Sequence, residues 1–453
     1  KYRTDFHQRK MKTEMKKVAL LLITIAIFMQ SQAQEKWSLQ KCIDYALSNN
    51  IMIKQTELNT QYRSNQYQQS KNERLPDVNA GLSQGFNFGR SLNIDNTYDN
   101  FSSSNTGLSV NSSVQIWRGG ALNNTIKQRE FELKSSLEDL QKAKDDLTLN
   151  IASAYLEILF ANELINASET QIEQTNKQIQ RTKELVAAGK VAEGTLLEIE
   201  AQRANEELTL VTRQNQLQLA YLNLAQMLEL EDYNNFSIEI PEMPELASQA
   251  SIASSSGVYE KALQYRPEIK SADYTLKSYE SQLKVAKSSL LPSLSASASF
   301  DDRYLLSSEN KMPALSEQIK TNHSEGIGLY LNIPIFNKFE NKTNIENAKI
   351  QVKNQQLQLE STKKELRKQI EQAYTNALAS QKRFNANRVA SKSMSESFRY
   401  IEEKYNVGRV SSVEYNDAKT KLAIAESNLI QAKYEFIFRS KILDFYNGIP
   451  ISL

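Results

Sequence analysis

The 453-residue sequence contains one cysteine, Cys42, so no intrachain disulfide can be drawn. Lys41 precedes it, where an N-terminal lipid anchor needs a small residue, which argues against acylation. Histidine is nearly as scarce: there are two, and only His323 lies beyond the first 33 residues. One cysteine and one histidine argue strongly against a zinc site built on those ligands, and a Ser-His catalytic pair would rest on that single side chain. The chain therefore reads as a non-enzyme with no metal and no cofactor, and His323, in a polar loop, as a solvated residue. Glycine and proline are absent from 121–188 and from 337–407, so nothing interrupts a helix there. Past residue 33 no stretch is apolar enough for a membrane helix.

What is present begins with an export signal. Lys16 and Lys17 are followed by an apolar run from Val18 to Met29 and then by Ser31-Gln32-Ala33, the three regions of a secretory signal peptide in order. The run is too short to cross a bilayer as a helix. Residues 1–33 carry a net +5, so the formal +2 of the whole sequence becomes −3 for the remainder. That balance implies no nucleic-acid surface.

The rest is a repeat. Gln115-Ile116-Trp117-Arg118 aligns with Pro334-Ile335-Phe336-Asn337, Ala154-Tyr155-Leu156 with Ala373-Tyr374-Thr375, and Val186–Val191 with Tyr405–Val410, all at one offset of 219 residues. Upstream, Leu75-Pro76 matches Leu291-Pro292 at an offset of 216, so the register changes by three residues between Pro76 and Gln115. Each copy reads as short helix, helix, strand, loop, strand, long helix, tight turn, long helix. The organisation expected is a signal peptide with upstream residues (1–33), repeat 1 (34–230), an equatorial connector (231–257) and repeat 2 (258–453). The first repeat holds a β-hairpin at 77–117 and a helical hairpin at 120–230; the second holds them at 293–336 and 338–448. Segments 121–188 and 337–407 have the Ala, Leu, Glu, Lys and Gln content of strong helix formers. The first, if continuous, would reach about 100 Å at ~1.5 Å per residue. Return helices follow at 195–230 and 412–447. In the second of these, positions 415, 418, 422, 425, 429, 432, 436, 439 and 443 fall on one face, alternating large and small residues as interlocking helices require.

The strands alternate with period two. Ala80, Leu82, Gln84, Phe86 and Phe88 form one run, and Leu108, Val110, Ser112, Val114 and Ile116 the next. In the second copy Leu294, Ala296, Ala298 and Phe300 interleave with Ser293, Ser295, Ser297 and Ser299, and Ile327, Leu329, Leu331, Ile333 and Ile335 interleave with Gly328, Tyr330, Asn332 and Pro334. Each run gives one apolar and one polar face, and about ten residues suffice for a tilted strand to cross a bilayer. Segments 91–105 and 304–324, rich in Asn, Ser and Asp, read as exposed loops. Four strands cannot close a barrel, and open edges are not tolerated in lipid. Several chains must therefore pool their strands.

A doubled unit of helix, β-hairpin and long helical hairpin, with Leu-Pro entering each first strand, resembles the TolC-like outer membrane efflux family over about 38–448. Ala188-Gly189-Lys190-Val191 and Tyr405-Asn406-Val407-Gly408-Arg409 are the sharpest matches. The resemblance implies an α+β membrane protein: a homotrimer whose four strands per chain contribute to a 12-stranded transmembrane β-barrel in outer membrane lipid. Long antiparallel helical hairpins form a periplasmic α-barrel below it. It also implies a passive exit duct of a tripartite efflux or type I secretion system, served by a periplasmic adaptor and an inner-membrane pump. The family's turns meet the adaptor, which nominates Ala188, Gly189, Lys190 and Val191 with Val407, Gly408, Arg409 and Val410.

The residues themselves fit such turns. Gly189 and Gly408 stand where a helix-ending left-handed residue belongs, and Thr195–Glu198 and Ser411–Glu414 read as capping boxes for the return helices. Glu414 and Asp417, one turn apart on one face, fall where the family's pore-constricting acidic pair lies, and three copies would ring the opening with carboxylates that favour cations. Tyr405 matches the family tyrosine that holds the closed tip. Two departures stand out: Val410 replaces the family's gate-linking arginine, with Arg409 one position away, and Thr195 replaces the acidic partner in the first copy. From the helices alone the competing reading is an exported coiled-coil scaffold or adhesion-type structural protein.

Overall fold

The computed structural model describes residues 36–92, 96–231, 236–241, 252–307 and 312–451; the expected signal peptide lies outside them. In chain order the elements are α1 (Leu39–Asn49), α2 (Ile51–Asn72), β1 (Asp77–Leu92), β2 (Tyr98–Arg118), α3 (Ala121–Ala187), α4 (Glu193–Met227), α5 (Ser255–Tyr265), α6 (Pro267–Ser288), β3 (Ser293–Ser307), α7 (Leu315–Thr321), β4 (Ser324–Asn332), α8 (Glu340–Asn406) and α9 (Ser412–Tyr446). The two segments without glycine or proline are each one helix of 67 residues. Pro267 opens α6 at its first turn, where its missing N–H costs nothing.

The chain forms two compact units. One comprises Gln55–Ala143 and Leu263–Arg367 and holds the sheet; the other comprises the chain through Lys54, Lys144–Ala262 and the chain from Lys368 onward.

In the first unit the four strands form one antiparallel sheet in the order β1-β2-β3-β4. Its register turns the alternation of single strands into two continuous faces. Leu82 pairs with Leu108, Val110 with Phe300, Val114 with Ala296, and Ala298 with Ile327, which gathers the apolar residues on one side. Gly81 pairs with Ser109, Asn111 with Ser299, Ser113 with Ser297, and Ser297 with Gly328, which makes the other side small and polar. The apolar side is bare: Ile327 is 92% exposed and Leu82 76%. Within the chain β1 and β4 are the edges.

Three boundaries differ from expectation. β2 begins at Tyr98, inside the segment read as a loop, because residues 98–105 pair with β1, and Ser103–Asn105 with β3 as well. β3 continues to Ser307, and the loop after it contains the unexpected helix α7. β4 stops at Asn332, short of Ile335, since Pro334 has no N–H to offer a neighbouring strand.

The turns from strand to long helix show that the repeat is conformational as well as sequential. Gly119 and Gly120 have φ of 56° and 79°, and Lys338 and Phe339, 219 residues on, have 54° and 64°. At Gly119 a Cβ would lie 2.8 Å from both Leu291 Cβ and Ser288 O, so only glycine fits. The second copy holds the same bend with side chains at a cost of roughly 1–2 kcal/mol per residue.

The second unit has the larger core. Tyr155 is buried, and its hydroxyl donates to the carbonyls of Trp37 at 3.1 Å and Glu239 at 2.6 Å. Trp37 and Ile238 form a parallel bridge, and Phe236 packs edge-on to Trp37 and Tyr221, so the described part of the connector is pinned to α3 and α4. The interlocking stripe of α9 is used as expected: Tyr415, Ala432, Phe436 and Leu443 are buried, with Phe436 stacked on Phe384. Cys42 lies in this core, where burial pushes its thiol up to about 12.

Candidate functional site at the helix tips

Both long hairpins turn in the second unit, and both turns are built alike. Gly189 and Gly408 take φ of 67° and 74°. After α3, the N–H of Gly189 bonds Val186 O and that of Lys190 bonds Leu185 O, each at 2.9 Å. After α8, Gly408 bonds Tyr405 O at 3.0 Å and Arg409 bonds Lys404 O at 2.9 Å. Each pair is a Schellman closure, which satisfies carbonyls that a helix end leaves open.

The restarts differ. Ser411 caps α9, its hydroxyl accepting from Glu414 N at 3.2 Å. The expected box at Thr195–Glu198 does not form: α4 starts two residues earlier, at Glu193, with Ala192 as an N-cap that makes no side-chain bond. Glu193 offers the helix N-terminus a favourable charge, and Gly194 is absorbed into the first turn. Glu198 is thereby free to accept from Ser412 Oγ at 2.7 Å, joining the two turns. Arg181 of α3 adds a second tie, donating to Asn406 Oδ1 of α8 at 2.5 Å.

Between the turns lies a cleft of about 650 Å³. Of the nominated residues it collects Val191, Tyr405, Gly408 and Val410 on its wall, together with Thr195. Ala188, Gly189, Lys190, Val407 and Arg409 are exposed at the turns themselves. Tyr405 packs on Tyr415 with ring centroids 4.5 Å apart, and Tyr415 on Phe398 at 5.3 Å. Burial, reinforced by the charge of Glu402, pushes the Tyr415 phenol up to about 12. Glu414 and Asp417 are not in the cleft. They project from α9 into solvent, and Asp417 Oδ2 is 2.7 Å from Lys421 Nζ, one turn along.

A buried charge escaped the sequence reading. Lys419 and Glu206, with side chains 4% and 6% exposed, pair at 3.2 Å. The Glu206 carboxylate also accepts from Thr175 at 2.5 Å and from the amides of Gln171 and Gln202 at 3.1 Å each. Lys419 further donates to Thr175. This node joins α3, α4 and α9. Two turns along α4, Arg213 does the same, donating to Leu164 O at 2.7 Å, to Ser168, and to Ser427 Oγ of α9 at 3.0 Å. Desolvation lowers the Lys419 pKa, and Glu206 opposes the shift. A signal existed: Glu206 and Arg213 fall seven and fourteen residues after buried Ile199, on the inward face of α4. Among the described residues no group of three His, Cys, Asp or Glu could hold a metal ion.

With this geometry in view, the family model described as "Outer membrane efflux protein" matches residues 42–229 and 258–443, one match per repeat. The outer membrane protein TolC of Escherichia coli is 22% identical over 442 residues, covering 93% of this chain and 84% of that protein. The cation efflux system protein CusC of Escherichia coli is 23% identical over 411 residues, covering 86% and 82%. Among solved structures, CusC aligns with a TM-score of 0.77 at 20% identity, covering 91% of this chain and 92% of that one. The outer membrane protein VceC of Vibrio cholerae aligns with a TM-score of 0.75 at 17%, covering 91% and 97%.

A two-part helical chain carrying a four-stranded sheet with one largely apolar, exposed face is of the outer membrane channel class. This chain belongs to the outer membrane efflux protein family, and it is a transport protein of the outer membrane.

Proposed function

We propose that three copies of this chain form a passive duct that opens at its helix tips and completes a tripartite efflux or type I secretion system with a periplasmic adaptor and an inner-membrane pump. The observation that carries this reading is the sheet. It has one apolar face, one Gly/Ser face and two unpaired edges. In hydrocarbon each unsatisfied N–H or C=O costs several kcal/mol, on the order of a lost hydrogen bond. Joining β4 of one copy to β1 of the next removes both edges, and three copies give a twelve-stranded cylinder with the polar face inward. No chemistry is required of the chain.

In the second unit, the turns at Ala188–Val191 and Val407–Val410 are taken as adaptor-docking surfaces, and Glu414, Asp417 and Tyr405 as the gate. Exposed Glu414 and Asp417 are available to face an axis, while Tyr405 is held on Tyr415. Val410 and Thr195 depart from the family pattern at the gate, and within one chain Arg181–Asn406 and Ser412–Glu198 tie the two turns. The test is insertion of the purified protein into planar bilayers. Stepwise, cation-preferring conductance is expected; a protein that leaves bilayers silent after refolding and detergent controls contradicts the duct.

A further inference from the structure

β3 is covered by β2 along its whole length, from Ser293 opposite Arg118 to Ser307 opposite Ser103. On its other edge β4 covers it only from Ser293 to Asp301. Beyond that point the edge would be bare, and α7 occupies it. Leu305 N donates to Gln318 Oε1 at 2.9 Å, and Gln318 Nε2 donates to Leu305 O at 3.0 Å and to Pro313 O at 2.8 Å. Asn322 Nδ2 donates to Arg303 O at 2.8 Å. A side-chain amide thus makes the two bonds that a strand peptide would make. Gln318 is 2% exposed, buried for this purpose on an otherwise open loop.

The same shortage arises wherever copies meet. β1 has 16 residues and β4 has 9, so a neighbour's β4 leaves at least seven residues of β1 without a strand partner. β1 begins, and β4 ends, at the end of the sheet where the helices join it, so the deficit falls on the outer half of β1, toward Leu92. We infer that α7 stands in for the missing outer half of β4: each copy's α7, clamped to its own β3, fills the seam against the outer half of β1 in the next copy. This rests on the barrel of several copies proposed above.

Three features support that occupant. Nine tilted residues are about what a strand needs to cross the hydrocarbon, so α7 falls at the outer rim, where water can serve the strand's remaining polar groups. A helix satisfies its interior backbone bonds itself, so it can complete a wall without pairing strand to strand. Finally, Leu315 and Ile319, one turn apart on α7, are 50% and 51% exposed, and Phe86 and Phe88 on the outer half of β1 are 64% and 81% exposed. Among the described residues both pairs are left half-exposed or more.

Disulfide trapping in a Cys42→Ala background tests this in the full-length protein purified in detergent. Ile327→Cys on β4, paired in turn with cysteines at positions 78–84 of β1, reports the strand seam. Ile319→Cys, paired with cysteines at 85–92, reports the α7 seam. The expected result is oxidised, gel-stable oligomers from both, with Gln318→Ala reducing the α7 linkage several-fold and leaving the strand linkage unchanged. Linkage through β4 with none from Ile319 to any position overturns the role of α7 while the barrel stands. Absence of both linkages overturns the barrel reading and this inference with it.

Discussion

At the residue scale, α9 does two jobs on opposite sides. Tyr415 and Lys419 point into the helices and fix the rotation of α9, which leaves Glu414 and Asp417 outward. If the acidic pair rings a pore, Asp417→Ala is expected to reduce cation preference in planar-bilayer recordings, while unchanged ion selectivity counts against the ring. Lys419→Met strands the Glu206 carboxylate in a buried site, a loss of about 3–5 kcal/mol. Adding Glu206→Gln should recover most of it, read as the thermal midpoint of helix unfolding in detergent. The Tyr415 phenol supplies a pH dependence with a definite sign. Its folded value, about 12, lies above its ordinary one, so its stabilisation is complete below pH 10 and is lost as pH rises through 12. The two-unit difference corresponds to about 2–3 kcal/mol, and Tyr415→Phe is expected to flatten that part of the alkaline stability profile. The node itself was hidden in the sequence because Lys and Glu on long helices are ordinarily solvated, and only the seven-residue phase of Glu206 with Ile199 marks it as inward.

At the element scale, the glycine-ended helices and the two-faced strands could be read from the sequence because each depends on local rules: a positive φ that glycine tolerates, and a period of two. What could not be read depended on a partner distant in sequence. The start of α4 is an example, since Thr195 and Glu198 have the capping pattern, yet Glu198 is engaged by Ser412 of the other hairpin. Helix α7 is another, since seven residues in a polar loop carry no periodic signal and its anchor, Gln318, acts through β3. The tips supply a prediction at this scale. At Gly408 a Cβ would meet no atom within 4 Å, so a substitution suffers only the backbone penalty of the left-handed conformation, about 1–2 kcal/mol. Gly408→Leu is therefore expected to leave the oligomer intact and abolish transport by blocking the docking surface. Wild-type efflux by this variant, measured in cells, rejects the turn as a docking site.

At the scale of the whole molecule, the repeat is the organising fact. The same sequence of helix, hairpin and long helical hairpin is used twice, and the bend at Gly119-Gly120 recurs at Lys338-Phe339 even where the glycines are gone. Duplication supplies four strands where one repeat supplies two, but four remain too few to close, and the bare apolar face and open edges persist until other copies arrive. The most direct measurement is therefore the mass of the detergent-solubilised particle, by light scattering corrected for bound detergent or by native mass spectrometry. Three chains per particle is the expected result; a stable single chain that stays in solution without detergent contradicts it.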